Sequence, residues 1–193
     1  MPKPYEKYLK YTLIDENTLQ QRIQQLGATL TADYAETDDI LLVCILKGGV
    51  MFLCDLMRHF HVPHEIDFLA VSSYGKGVRS SSGEVRIDMD LTAQVTGRHV
   101  LIVEDIIDSG HTLRFVINVL QARQAASVRL CTLLNKPDRR QTDIHIDYTG
   151  FVIRDEFVFG YGLDLDEKFR NLPFVGVVDL DKLTNESEPN QND

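Results

Sequence analysis

Continuous apolar runs alternate along this chain with stretches in which apolar residues recur every three or four positions. Residues 40–46 (ILLVCIL) form an unbroken apolar run too short for a typical helix, which predicts a strand buried on both faces. Residues 66–71, 100–103, 128–134, 149–153 and 175–180 predict further strands by the same reasoning. Leu19, Ile23, Leu26 and Leu30 keep helical spacing, with Asp15 or Asn17 placed to cap the start. Gly48 and Gly49 open a second helix carrying Val50, Phe52, Leu53, Leu56 and Met57. Leu113, Val116, Ile117 and Leu120 mark a third. Apolar strands separated by helices predict an α/β fold: a doubly wound, mainly parallel sheet flanked by helices, with ligands beyond the carboxyl ends of the strands.

Three segments depart from this pattern. Residues 74–87 (YGKGVRSSSGEVRI) carry three glycines and three serines and predict a lid loop. Residues 136–170 are rich in charge and aromatics and read as a small appended lobe that selects a substrate, together with N-terminal residues. Residues 184–193 are polar and acidic and read as a disordered tail, leaving one domain over residues 1–183.

A net charge of −9 argues against nonspecific attraction to nucleic acid. Cys44, Cys54 and Cys131 sit among apolar neighbours and read as buried thiols in a reducing compartment. No run approaches a membrane span, and the N-terminus lacks an apolar signal core, so the expectation is a cytoplasmic protein with no membrane partner. His59, His61 and His64 tempt a zinc reading. Their H-x-H-x-x-H spacing fits no single helix face and Pro63 interrupts it, so a helix-end cluster is the better account.

The most informative stretch is residues 100–112 (VLIVEDIIDSGHT). Four apolar residues are followed by Glu104 and Asp105, placed where the strand is expected to end. Asp108, Ser109, Gly110, His111 and Thr112 then form a donor-rich turn into a helix, the arrangement that cradles phosphate. The acids would repel a bare anion. They suit a ligand that also carries ribose hydroxyls and Mg²⁺, which describes a phosphorylated ribose. The plainer alternative is a βα turn capped by Ser109 with two solvated acids. Lys47-Gly48-Gly49 sits at a second strand-to-helix turn and is by itself either an anion site or a glycine-started helix beside a surface lysine. Taken singly, Lys136, Phe157, Asp164 and Arg170 each read as readily as core aromatics or solvated charges.

Residues 100–112 resemble the phosphoribosyl pyrophosphate (PRPP) motif of the type I phosphoribosyltransferases, and residues 8 to 180 are similar to the hypoxanthine-guanine phosphoribosyltransferases. The resemblance implies that family's fold and a Mg²⁺-dependent purine-salvage transferase. It would convert hypoxanthine or guanine with PRPP into IMP or GMP and pyrophosphate, as a homodimer or homotetramer. Lys47 and Gly48 match its pyrophosphate loop, where the Leu46–Lys47 bond can be cis, and Ser73 and Tyr74 match the start of its lid. Glu104 and Asp105 match acids that bind ribose hydroxyls and metal. Asp108 matches the proposed general base, and Ser109, Gly110, His111 and Thr112 match the 5′-phosphate cradle. The His111 side chain either adds charge to the cradle or leaves the work to its backbone N–H. Lys136 matches the reader of the purine 6-oxo group, Phe157 the stacking aromatic and Val158 a backbone contact to the base. Asp164 matches a metal-linked acid near the base and Arg170 an arginine near pyrophosphate. Transfer to another base, such as xanthine, uracil or adenine, or a PRPP-sensing regulator bound to nucleic acid, remain the alternatives. The regulator would need a basic face or a further DNA-binding unit.

Overall fold

A computed structural model of the chain describes residues 3–73 and 85–186. Its main sheet has six strands: β2 (Ile40–Leu46), β3 (His64–Ser73), β4 (Val85–Met89), β5 (His99–Ile107), β6 (Ser127–Asn135) and β7 (Tyr148–Val152). Their order is β4-β3-β2-β5-β6-β7, with every pairing parallel except that of β4 with β3. The chain leaves β2 for β3 on one side and returns to β5 on the other. The carboxyl ends of β2 and β5 therefore flank the switch point where such sheets bind ligands.

Alternation along β2 explains its unbroken apolar run. Leu42 and Cys44 face a core shared with Leu19, Ile23 and Leu30 of α1 (Glu16–Asp33) and with Phe52, Leu53 and Leu56 of α2 (Val50–His59). Leu41, Val43 and Ile45 face the other core, closed by Leu113, Val116 and Leu120 of α3 (His111–Ala122). Truncating one of these fully buried leucines to alanine typically costs about 2–5 kcal/mol. Helix α1 begins where the sequence indicates, with Asp15 accepting from Thr18 N at 2.9 Å. Cys44 and Cys131 are buried thiols, but Cys54 is exposed. It lies one turn along α2 from the exposed Met51, away from the inward face made by Phe52, Leu53 and Leu56.

A second sheet joins β1 (Leu9–Ile14), β8 (Val158–Phe159) and β9 (Val175–Val178) in the order β1-β9-β8, all antiparallel. Residues 175–178 are wholly buried, which gives them the look of a parallel strand, yet they pair in this small sheet. Its core gathers Phe159, Leu165, Leu172 and Val178. Tyr161 docks this layer on the helices: its hydroxyl donates to Asp55 Oδ2 at 2.5 Å, and Gln20 Nε2 donates to the same oxygen at 2.9 Å. Strand β7 lies within residues 136–170 but belongs to the main sheet, so the appended layer is built from both ends of the chain around residues 157–178. Helix α4 (Leu180–Glu186) includes the first three residues of the segment read as a tail. The rest of that segment, and residues 74–84 of the expected lid, lie outside the described residues; residues 85–87 belong to β4. Among the described residues, no helix is long and apolar enough to cross a membrane.

Candidate active site

Strand β5 does not stop at the acids. It runs to Ile107, because Glu104, Ile106 and Ile107 continue the ladder with Thr132, Leu134 and Asn135 of β6. Glu104 and Asp105 are therefore held by a rigid element rather than by a loop. Gly110 follows at φ +87°, a left-handed conformation that glycine adopts without steric cost, and caps α3. A Cβ at this position would lie 2.5 Å from Thr142 Oγ1, so the turn also needs the absence of a side chain.

A cavity of about 130 Å³ opens over this turn, lined by Glu104, Asp108, Ser109, Gly110 and Thr112 among others. Gly110, Thr112 and Leu113 of this lining stand at the start of α3, and the free N–H groups of a helix's first turn suit an anion. The turn is braced from the segment after β6. Gln141 N and Thr142 N donate to Ser109 O at 3.0 and 3.2 Å, and Arg140 Nε donates to Asp108 O at 3.0 Å. Arg140 Nη2 also donates to Asn135 Oδ1 at 2.7 Å. Arg139 Nε lies 2.9 Å from Asp155 Oδ1 and 3.6 Å from Asp108 Oδ1. Arg139 and Arg140 thus join the turn at Asp108 and Ser109 to the segment before β8. No local signal marks this role, since it depends on a contact across 32 residues. The His111 ring is hydrogen-bonded to Gln141 Oε1 at 2.9 Å.

The two acids of β5 are electrostatically expensive. Asp105 is 9 % exposed, and one oxygen of Glu104 is buried without a hydrogen-bond partner. Burial, and then the neighbouring Asp105 carboxylate, push the Glu104 carboxyl well above the usual range. Burial pushes Asp105 up to about 6, against its hydrogen bond from Ile106 N and the charge of Arg170, both of which pull it down. A buried acid whose folded-state pKa is raised binds more protons folded than unfolded, so it costs stability as pH rises from ~4 to 6. At neutral pH the cost for Asp105 is of order 2–3 kcal/mol. Asp105→Asn should therefore raise the melting temperature at pH 7.5 by roughly 4–8 °C, with the gain fading toward pH 4. Thermal scans across that range check this, and an unchanged or lowered melting temperature at pH 7.5 would contradict it.

The Leu46–Lys47 peptide is cis. Gly48 packs directly on Asp105: a Cβ there would sit 1.6 Å from its Oδ2. Gly162 packs in turn on Gly48, its own Cβ position lying 2.1 Å from Gly48 O. This brings the loop after β8 against the β2 turn. Lys47 Nζ meets Glu167 Oε2 at 2.7 Å. Arg170 reaches Asp164 Oδ1 at 2.7 Å and the same Glu167 oxygen at 3.5 Å, and donates from Nη1 to Gly162 O at 2.8 Å. Asp164 Oδ2 accepts from Glu167 N at 2.9 Å. Glu167 was not marked by the sequence, where it is one acid in a polar run.

Lys136 is only 6 % exposed and follows β6, its N–H donating to Ile107 O at 3.0 Å. Its position is thereby tied to the end of the acidic strand. Phe157 leaves 49 % of its surface exposed while its carbonyl accepts from Val178 N at 2.8 Å. A half-open ring on a pinned backbone is a suitable stacking platform. Val158 is buried and pairs with Val177. Tyr11 of β1 donates to Glu156 Oε1 beside it. Ser73 ends β3, and Tyr74 lies outside the described residues.

Comparison with known proteins places this geometry. Residues 15–167 match the phosphoribosyl transferase domain family. The hypoxanthine phosphoribosyltransferase of Haemophilus influenzae is 45% identical over 172 residues, covering 88% of this chain and 96% of that protein. The hypoxanthine-guanine phosphoribosyltransferase of Bacillus subtilis is 46% identical over 170 residues, 88% of this chain and 93% of that one. A bifunctional TilS/HprT protein of Listeria innocua is 50% identical over 170 residues, but the chain spans only 26% of its length. The crystal structure of a Staphylococcus aureus hypoxanthine phosphoribosyltransferase superposes with a TM-score of 0.88 at 42% identity, covering 94% of this chain and 97% of that one. The chain belongs to the phosphoribosyltransferase family, among its hypoxanthine and hypoxanthine-guanine members.

Proposed function

We propose that this protein transfers the phosphoribosyl group of PRPP to N9 of hypoxanthine or guanine, releasing pyrophosphate with IMP or GMP, as a step of purine salvage. The observation that carries this reading is the junction at the switch point. Glu104, which has a buried and unpartnered oxygen, lines a cavity together with the N-terminus of α3, and the buried Asp105 follows it in the strand. A ligand that offers hydroxyls and a phosphate together satisfies both halves.

Residues 109–112 hold the 5′-phosphate, and Glu104 and Asp105 take the ribose hydroxyls. Lys47, the Gly48 backbone and Arg170 face pyrophosphate, with Asp164 orienting Arg170. Lys136 donates to the purine 6-oxo oxygen, Phe157 stacks on the ring and the Val158 backbone meets its edge. As the C1′–O bond breaks, its electron pair leaves with pyrophosphate while N9 closes on C1′. Asp108 accepts the purine proton. The protein's own contribution is to hold the partners in line and place cations where negative charge accumulates.

Mg²⁺ fits the residues present. Buried acids with raised pKa values and an orphaned oxygen suit a divalent cation that completes its shell with substrate oxygens. Among the described residues, no group of three or more His, Cys, Asp or Glu could hold a metal without such help. When bound, the ion neutralises charge on the departing pyrophosphate. Chelation should therefore stop turnover and Mg²⁺ restore it. Full activity in excess chelator would contradict this role.

Steady-state rates with PRPP, Mg²⁺ and hypoxanthine, guanine, xanthine, uracil or adenine test the reading. Hypoxanthine and guanine should lead, and a preference for uracil or adenine would overturn it. A cytoplasmic location accords with the free cysteines. A homodimer or homotetramer is expected, with the exposed Met51 of α2 among the apolar surface available for it.

A further inference from the structure

We infer that Glu167 is an internal counter-anion seated where pyrophosphate binds, and that it sets how weakly pyrophosphate is held. This rests on the site reading above. A single carboxylate oxygen, Oε2, lies 2.7 Å from Lys47 Nζ and 3.5 Å from Arg170 Nη2. These are the two side-chain cations assigned to pyrophosphate, and a phosphate oxygen bridging them would take the same place.

The loop is shaped to deliver this group. Asp166, Glu167 and Phe169 have φ of +52°, +61° and +66°, a conformation that side-chain-bearing residues seldom adopt. The tight turn is closed by hydrogen bonds in both directions between Leu165 and Lys168 (3.1 and 3.2 Å), and Glu167 N is fixed to Asp164 Oδ2 at 2.9 Å. Glu167 is thereby aimed at a lysine 120 residues away in the chain. Lys47, and to a lesser degree Arg170, hold its carboxyl below the usual range, so it carries its charge at neutral pH.

The pair is also easily broken. The Lys47 and Glu167 side chains are 68% and 62% exposed, and exposed ion pairs are weak. An incoming pyrophosphate can reach Lys47 from solvent, but a carboxylate cannot keep its place beside a multiply charged anion. Glu167 must swing out, and the affinity observed for pyrophosphate is what remains after that exchange. When product leaves, the carboxylate returns to the two cations, which limits product inhibition.

The test measures binding of inorganic pyrophosphate with Mg²⁺ by calorimetry, and its inhibition of hypoxanthine turnover, in the full-length protein. Glu167→Gln should bind pyrophosphate about threefold to tenfold more tightly, the scale of a weak exposed pair plus relieved repulsion. The inhibition constant should fall in parallel, with KM for hypoxanthine changed by less than about twofold. Asp166→Asn removes the same charge from a neighbour that faces Lys168, and should leave pyrophosphate affinity within about twofold of wild type. Unchanged or weaker pyrophosphate binding in active Glu167→Gln would overturn the inference alone, as would an equal gain in Asp166→Asn. A wild-type protein without PRPP-dependent turnover would overturn the site reading and this inference with it.

Discussion

Adenine should be used at least about three orders of magnitude less efficiently than hypoxanthine, and Lys136→Met should cut kcat/KM for hypoxanthine and guanine by roughly 10²- to 10³-fold. The expectation follows from where Lys136 sits. The residue is almost fully buried and fixed by its backbone to the end of β5, and among the described residues none accepts a hydrogen bond from its Nζ. A 6-oxopurine supplies that acceptor. Adenine presents an amino donor at the same position, so two donors face each other. A buried unsatisfied polar group costs ~1–3 kcal/mol and a charged one more. Methionine keeps the length and apolar stem of the lysine while removing the donor, which makes packing loss a small part of the effect. The KM for PRPP should change little in this variant. Comparable rates for adenine and hypoxanthine in wild type would end the 6-oxopurine assignment and leave the phosphoribosyl half of the account standing.

Asp108→Asn should lower kcat by about 10²- to 10⁴-fold, the usual worth of a positioned base, with far less effect on PRPP binding. The structure makes this a clean substitution. The turn is held through the Asp108 carbonyl, which accepts from Arg140 whatever the side chain is, and through Ser109 O. The carboxylate itself is half exposed, and among the described residues it pairs with Arg139 alone, at 3.6 Å. An amide of the same shape therefore removes the proton acceptor and little else. Equal losses in kcat and PRPP affinity would assign Asp108 to ligand binding or to the shape of the turn.

Much of this site could be read from the chain because its parts are local. A buried strand, a glycine at the turn and a helix N-terminus follow each other within residues 100–112, and the physics of each is written in neighbouring residues. The alternation that places Leu41 and Leu42 in different cores is equally local. What stayed hidden depends on distant partners. Strand β5 continues through Glu104 and Asp105 because β6 pairs with it that far, which the acidic residues themselves argue against. Strand β8 has only two residues, and β1 and β4 are largely exposed, so no buried apolar run announces them. Residues 175–178 look like a parallel strand, since burial on both sides leaves the same signature in either kind of sheet. Arg139, Arg140 and Glu167 gain meaning only when the 139–142 segment meets Asp108 and Ser109, and when the loop after β8 meets Lys47.

The central claim is that the buried acids and the phosphate turn serve one transfer from PRPP to a purine. The direct measurement incubates the protein with hypoxanthine, PRPP and Mg²⁺ and quantifies IMP and pyrophosphate together. The account predicts the two in equal amounts, with none formed when any one component is left out. PRPP consumption that yields pyrophosphate without IMP would contradict it.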